Sequence, residues 1–366
     1  MPISQPLLTS YKMGDLLLKN RLVIAPMTRS RANNKENVPT ELHVKYYKQR
    51  ASAGLIISEG SQISKRAVGY VNTPGIYSEA QVKGWKAVTD AVHKEGGKIF
   101  IQLWHVGRVS HPDFHNGKLP LAPSALNPNS KSFTPNGFKE TVTPKEMTLE
   151  DIKTTIEEFK QAAINAKKAG FDGLEIHSSN GYLFHQFFNN SSNKRTDNYG
   201  GSIENRARFF FEVLDEISKV FSQNRIGVRF NPSMHHSHGI DVDQETIPLF
   251  EYVIKKLNNY NLAYVHLSEP FTDVSQVKYA VKNIAKHFRP FYNGTLIINS
   301  AFDQEKGNKI IENNLADLVA YGKLFISNPD LVERFKNNAP LADWDVATFY
   351  SDTGEKGFTD YPKYKP

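Results

Sequence analysis

Apolar residues return along this chain in two alternating rhythms. Short runs rich in β-branched and aromatic residues are followed by longer segments whose apolar positions recur every three or four residues. The short runs are "RLVIAPM" (21–27), "GLIISEG" (54–60), "KIFIQLWH" (98–105), "GLEIHSS" (173–179), "RIGVRFNP" (225–232), "AYVHLSEP" (263–270), "TLIINSA" (295–301) and "DLVAYGKLFI" (317–326). Between them, residues 79–96 place Val82, Trp85, Val88, Ala91 and Val92 on one helical face. Residues 148–170 open on a Thr148 cap with Asp151 three positions on, and close on Gly170. Segments 202–221 and 243–257 read the same way. Eight strand–helix units predict a single (β/α)8 TIM barrel, one domain over residues 1–366. An open parallel sheet is the alternative, because periodicity does not show closure.

Two segments break the alternation. "YKMGDLLLKNR" (11–21) reads as a hairpin turning at Gly14-Asp15, placed to cap the barrel floor. Residues 106–147, rich in Pro, Gly, Asn and Ser, form a long loop after the third strand. Its position after a strand's C-terminal end predicts a lid or pocket wall.

Composition narrows the function. Of 366 residues, 39% are hydrophobic and 23% charged, as in a soluble globular protein. No apolar run reaches the roughly 20 residues of a membrane span. The N-terminus lacks a basic region followed by an apolar one, so no secretory leader is expected. The chain has no cysteine, which excludes disulfides, thiolate metal sites and iron–sulfur clusters and fits a cytoplasmic protein. The net charge of +7 comes from 45 Lys and Arg interspersed among 38 Asp and Glu, without a basic block. Small molecules, not nucleic acid or membrane, are therefore the expected partners, with a few cations left to face a phosphorylated ligand. The protein is expected to be a monomer or a homodimer.

In such a barrel the C-terminal strand ends face the active site. The polar residues there are Thr28, Glu59, Gln102, His105, His177, Asn180, Arg229, Glu269, Asn299 and Lys323. The densest group lies in "EIHSSNGYLFHQFF" (175–188), where an apolar run ends on His177 and offers Asn180 and Tyr182 within five residues. His177 and Asn180 could both donate to one acceptor atom, polarising a carbonyl, with Tyr182 as a weakly acidic proton source. The structural alternative is an Asn180-Gly181 turn with Tyr182 packed beside it. Arg229, at the end of a core strand, needs an anionic partner: a carboxylate such as Glu59, or an electron-rich cofactor ring. "MHHSHG" (234–239) brings His235, His236 and His238 together without ligand spacing or a carboxylate pattern, so a solvated loop and no metal is expected.

"APMTRSR" (25–31), "TPGIYSEAQVKGW" (73–85), "QLWHVGR" (102–108), "HSSNGYLFHQFFNNSSNKRTDNYGGSIENRARF" (177–209) and "NPDLVERF" (328–335) also carry a resemblance. Together, in this order, they resemble the Old Yellow Enzyme family, from about residue 5 to "GFTDYP" (357–362). The resemblance implies an FMN-dependent barrel that takes a hydride from NADPH or NADH and reduces α,β-unsaturated carbonyls or nitroalkenes. It also implies Pro26, Met27 and Thr28 against the flavin, and Gly60 where a small residue lets the ring pack. Gln102 and Arg229 would meet its pyrimidine edge. His177 and Asn180 would grip the substrate oxygen and Tyr182 donate the proton, with Trp104 as a pocket wall.

The sequence departs from the family pattern in three places. Ser300-Ala301 stands where Gly-Gly or Gly-Asn is usual at the phosphate site. Gly322-Lys323 replaces Gly-Arg, keeping the charge but losing the bidentate fork. Phe358 occupies a substrate-pocket position often held by tyrosine. Nitroester or nitroaromatic reduction on the same residues is the nearest alternative function. A flavin-free lyase or isomerase would need Lys323 or Glu59 at a strand end as its reactive group.

Overall fold

The computed structural model describes residues 5–351 and 354–364 and brings each expected run into one parallel strand of a closed barrel. The strands are β1 (Leu22–Ile24), β2 (Leu55–Gln62), β3 (Ile99–Trp104), β4 (Gly173–His177), β5 (Ile226–Phe230), β6 (Tyr264–Ser268), β7 (Leu296–Asn299) and β8 (Leu318–Tyr321). Closure comes from the pairing of β8 with β1, Ala320 opposite Val23. All the strands but β2 are shorter than the apolar runs that announced them. The last run stops at Tyr321, and "KLFIS" coils into a helical turn, Lys323–Ser327.

Several of the helices between the strands begin where a side chain satisfies one of the first free backbone N–H groups. On Leu149–Lys168, Thr148 Oγ1 accepts from Asp151 N at 3.1 Å, and Asp151 Oδ2 accepts from Thr148 N at 3.0 Å. Such a cap is worth about 1 kcal/mol. The helix ends at Gly170, whose φ of +82° a side chain would strain. Val82, Trp85, Val88 and Val92 of Glu79–Lys94 are buried against the barrel's outer surface, as their spacing requires.

A second, smaller core fills the barrel. Phe100 and Tyr264 point inward across glycines: a Cβ on Gly173 would lie 2.4 Å from the Phe100 ring, and one on Gly227 2.2 Å from Tyr264. The hairpin Tyr11–Met13/Leu16–Leu18 seals the floor, its Met13, Leu16 and Leu18 joining Val23, Leu55, Ile57, Phe100 and Tyr264 in one apolar cluster. Asp15 at its turn pairs with Arg225 at the foot of β5, 2.9 Å away.

The long loop after β3 corrects an expectation. It folds into a hairpin Lys131–Thr134/Gly137–Glu140 and the paired short strands Leu121–Ala122 and Lys145–Glu146, and none of its described residues 106–147 lines the cavity at the barrel mouth. The loop buttresses another loop instead. Arg108 donates to the Leu126 carbonyl at 3.1 Å and to those of His238 and Gly239 at 3.0 and 2.9 Å.

Candidate active site

At the C-terminal mouth of the barrel lies a cavity of about 820 Å³, large enough for a cofactor with a substrate beside it. Pro26, Met27 and Thr28 enter it from β1, Gly60 from β2, and Gln102 and Trp104 from β3. His177, Asn180 and Tyr182 follow from β4, and Arg229 from β5. Asn299 ends β7, with Ser300 and Ala301 following it, and Gly322 and Lys323 follow β8.

Four side chains named from the sequence do not reach this cavity. Phe358 is fully buried elsewhere, stacked on Tyr46 with ring centroids 4.3 Å apart and edge-on to His43 at 5.8 Å. The chain's return to the barrel places it among helix residues, and Phe349 and Tyr350 line the mouth instead. His105 is buried, its Nδ1 accepting from Gly107 N at 3.0 Å. Glu59 points outward from β2, away from the mouth, 3.4 Å from the Tyr47 hydroxyl and 3.6 Å from His43 Nε2. It is therefore neither the partner of Arg229 nor a base facing the cavity. Glu269 lies at the rim of a neighbouring surface pocket and accepts from Ile284 N and Ala285 N.

Burial pushes the Glu59 carboxyl up to about 7. The folded state thus binds its proton more tightly than the unfolded state, and this contribution to stability fades as pH rises from about 4.5 through about 7. Glu59→Gln is expected to match the wild type near pH 4.5 and to exceed it at pH 8 by on the order of 3 kcal/mol. Urea melts at the two pH values check this; equal differences at both would contradict it.

The stretch after β4 contains the turn that its sequence offered as the structural reading, and the turn leaves the donor reading open. Asn180 and Gly181 form the turn, with φ +57° and +78°, and that turn is what aims Asn180. Asn180 Oδ1 accepts from Asn231 Nδ2 at 3.3 Å, so the Asn180 amide hydrogens are left for the cavity. His177 Nδ1 accepts from Ser179 N at 3.4 Å and lies 3.2 Å from Ser179 Oγ, which puts the ring proton on Nε2. Burial, reinforced by Arg229, holds the imidazole pKa well below 6.5, so His177 is neutral. Tyr182 stands beside it, ring centroids 5.0 Å apart. Burial raises its phenol well above 10, and its hydroxyl lies 2.9 Å from that of Tyr70. Two neutral N–H donors and one held proton therefore share a corner of the cavity.

The inner wall is cationic. Arg229 is 5% exposed; among the described residues its side chain makes one hydrogen bond, to Ser268 Oγ at 3.4 Å, and its Nε has no partner. At the outer end Ser300 and Ala301 both adopt left-handed backbone, φ +85° and +56°. Non-glycine residues in that region store of order 1 kcal/mol each, and such strained backbone clusters at ligand-binding turns. Lys323 stands nearby, its Nζ 5.7 Å from the Trp344 ring centroid.

Sequence reasoning missed Phe271, Trp344, Phe349 and Tyr350, which line the cavity, and Tyr70 behind it. Their segments carry no periodicity, so nothing local marked them. It also passed over Glu175, for which a signal existed: a carboxylate inside an apolar strand, two positions before His177 and hence on the same face. In "MHHSHG" the fold supplies the carboxylate that spacing lacked, bringing Asp241 to 2.7 Å from His236 and 3.8 Å from His235. His238 instead stacks on Tyr182 at 6.1 Å.

Residues 6–342 match the NADH:flavin oxidoreductase / NADH oxidase family. 12-Oxophytodienoate reductase 1 of Oryza sativa subsp. japonica is 43% identical over 361 residues, 98% of this chain and 93% of that protein. 12-Oxophytodienoate reductase 2 of Arabidopsis thaliana is 39% identical over 362 residues, covering 98% and 96%. Among solved structures, morphinone reductase in complex with tetrahydroNAD superposes with a TM-score of 0.92 and 43% identity, over 99% of this chain and 98% of that one. The Old Yellow Enzyme homologue from Zymomonas mobilis does so with a TM-score of 0.92 and 37% identity, over 97% and 99%.

Proposed function

The chain belongs to the NADH:flavin oxidoreductase / NADH oxidase family, and from that premise we propose how its cavity residues divide the work. It is an FMN-dependent oxidoreductase that uses NAD(P)H to reduce activated carbon–carbon double bonds. The relatives named for 12-oxophytodienoate and morphinone support α,β-unsaturated carbonyls, with nitroalkenes, as the substrate class.

The cavity residues fit the cofactor. Arg229 is a buried cation whose Nε lacks a partner at the cavity's inner wall, which suits the electron-rich edge of a flavin. Ser300, Ala301 and Lys323 offer N–H groups and a charge at the outer end, which suits a phosphate. Gln102 and Thr28 are the hydrogen-bonding side chains between these ends, and Pro26 and Met27 the apolar floor. Gly60 is small for a reason inside the protein: a Cβ there would come within 2.6 Å of the Trp104 ring.

Bound FMN would supply the two-electron hydride chemistry between NADPH or NADH and the β-carbon of the alkene. The chain does the rest. His177 Nε2 and Asn180 Nδ2 hold the substrate's carbonyl or nitro oxygen and stabilise the negative charge that gathers on it. Tyr182 gives its proton to the α-carbon, and Trp104 walls the pocket. The observation that carries this assignment is the pair of bonds, from Ser179 and from Asn231, that turn both donors toward the cavity.

The test is anaerobic. Protein reduced by NADPH or NADH should be re-oxidised by cyclohexenone with one saturated ketone formed per flavin. Re-oxidation by oxygen alone, with no ketone, would defeat the proposal.

Lys323 gives a smaller prediction. Lys323→Arg should tighten FMN about fivefold, on the order of 1 kcal/mol, because a planar fork bonds phosphate through two N–H groups where an ammonium acts as a point charge. Titration of apoprotein with FMN decides it; equal or weaker binding by the variant would count against Lys323 as the phosphate contact.

A further inference from the structure

Directly behind the cavity wall lies a charged group that the scheme above leaves unused. Glu175 is fully buried inside the barrel. Its Oε1 accepts from Gln102 Nε2 at 2.7 Å, and its Oε2 lies 2.9 Å from His266 Nδ1. Strand register sets this up, since Glu175 stands opposite Gln102 on β3 and opposite Gly227 on β5. Burial lowers the His266 pKa, so the ring bonds the carboxylate as a neutral donor. Arg229 stands on the neighbouring strand two residues beyond Gly227, which lies opposite Glu175, and the carboxylate favours its charge against the burial that disfavours it.

A carboxylate in a barrel core is costly unless its partners are fixed, and Gln102 and Arg229 are both cavity-lining residues. A side-chain amide can present either end to a ligand, and the bond to Glu175 selects one. With one N–H held by the carboxylate, Gln102 shows its carbonyl oxygen and its second N–H to the cavity in a single order. The same negative charge offsets that of Arg229 at the place where electrons arrive.

We propose that Glu175 is a positioning residue of the flavin site: it fixes the Gln102 amide and moderates the Arg229 charge, and so sets both the affinity for FMN and the ease of its reduction. The proposal rests on the FMN assignment of the cavity.

Two signs follow. Loss of the carboxylate frees the amide to turn, which weakens binding. It also leaves Arg229 unbalanced, which favours the reduced and more negative cofactor, so the potential rises. For Glu175→Gln the FMN dissociation constant should increase about tenfold. The reduced form should gain about tenfold over the oxidised form, a midpoint roughly 30 mV more positive for a two-electron couple. Glu175→Asp, which keeps the charge but shortens its reach, should lose affinity and keep the wild-type potential. In a Gln102→Ala background, Glu175→Gln should cost no further affinity, because its route to the ligand is gone.

The experiment is FMN titration of each apoprotein with dye-equilibrated redox titration of each holoprotein. A folded Glu175→Gln with unchanged potential, or an affinity loss that adds in full to that of Gln102→Ala, would overturn the proposal. If Glu175→Gln fails to fold, Glu175→Asp decides: lowered affinity at constant potential supports the proposal, and no change in either refutes it. A wild-type protein that does not bind FMN would instead refute the cavity assignment itself.

Discussion

Tyr182→Phe slows re-oxidation of the reduced protein by cyclohexenone about 10² to 10⁴-fold, the usual worth of a positioned acid, while reduction by the nicotinamide keeps its rate. Phenylalanine preserves the ring contacts with Trp104, at 5.0 Å, and with His177, so the pocket keeps its shape. Only the proton and the bond to Tyr70 are lost. Were Tyr182 a structural prop, the change would cost that one hydrogen bond, roughly 0.5 to 1.5 kcal/mol of stability, and both half-reactions would proceed unchanged. Burial holds the phenol protonated beyond its ordinary value of 10, so the wild-type rate should show no loss from Tyr182 ionisation up to that pH. Nitroalkenes should suffer less, because the anion left after hydride transfer is stable enough to be protonated in water. Stopped-flow traces of the two half-reactions measure this; equal slowing of both would remove Tyr182 from the role of acid.

Asn180→Asp is the second large effect. The variant is isosteric and tolerates the left-handed backbone at φ +57°. It also keeps an oxygen to accept from Asn231, so the turn should survive. What changes is the face toward the cavity, where two N–H donors give way to a carboxylate oxygen. A lost oxyanion donor typically costs 10² to 10³ in rate, and a negative charge facing the substrate oxygen adds to that. Enone reduction should therefore fall by at least about 10²-fold with FMN content unchanged. A rate near that of the wild type would mean that the substrate oxygen lies elsewhere.

The barrel was legible because each barrel strand is buried on both faces and so reads as a largely apolar run, while the long helices between them show one buried face. Strand-end residues could be named for the same reason: once the strands are placed, topology alone brings Thr28, Gln102, His177 and Arg229 to one mouth. What depends on long-range packing was not legible. The C-terminal segment reaches the cavity because buried arginines near β1 hold it there, Arg29 donating to the carbonyls of Phe349 and Gly357 and Arg31 to that of Thr348. No spacing announces those bonds, so Trp344 and Tyr350 went unnamed and Phe358 was placed in the pocket. Glu59 misled through a local irregularity. The register between β2 and β3 shifts between Ile57 and Gly60, so simple alternation does not show which way Glu59 faces. The loop after β3 looked like a lid from length and composition, which do not tell where a loop lies.

The most direct test is a crystal structure of the FMN-loaded protein with an unreactive cyclic ketone bound. The ketone oxygen should accept from both His177 Nε2 and Asn180 Nδ2, with the carbon next to the carbonyl facing the Tyr182 hydroxyl. An oxygen bonded instead to Tyr350 or Lys323, with His177 and Asn180 making no contact to it, would contradict the assignment of this corner as the substrate site.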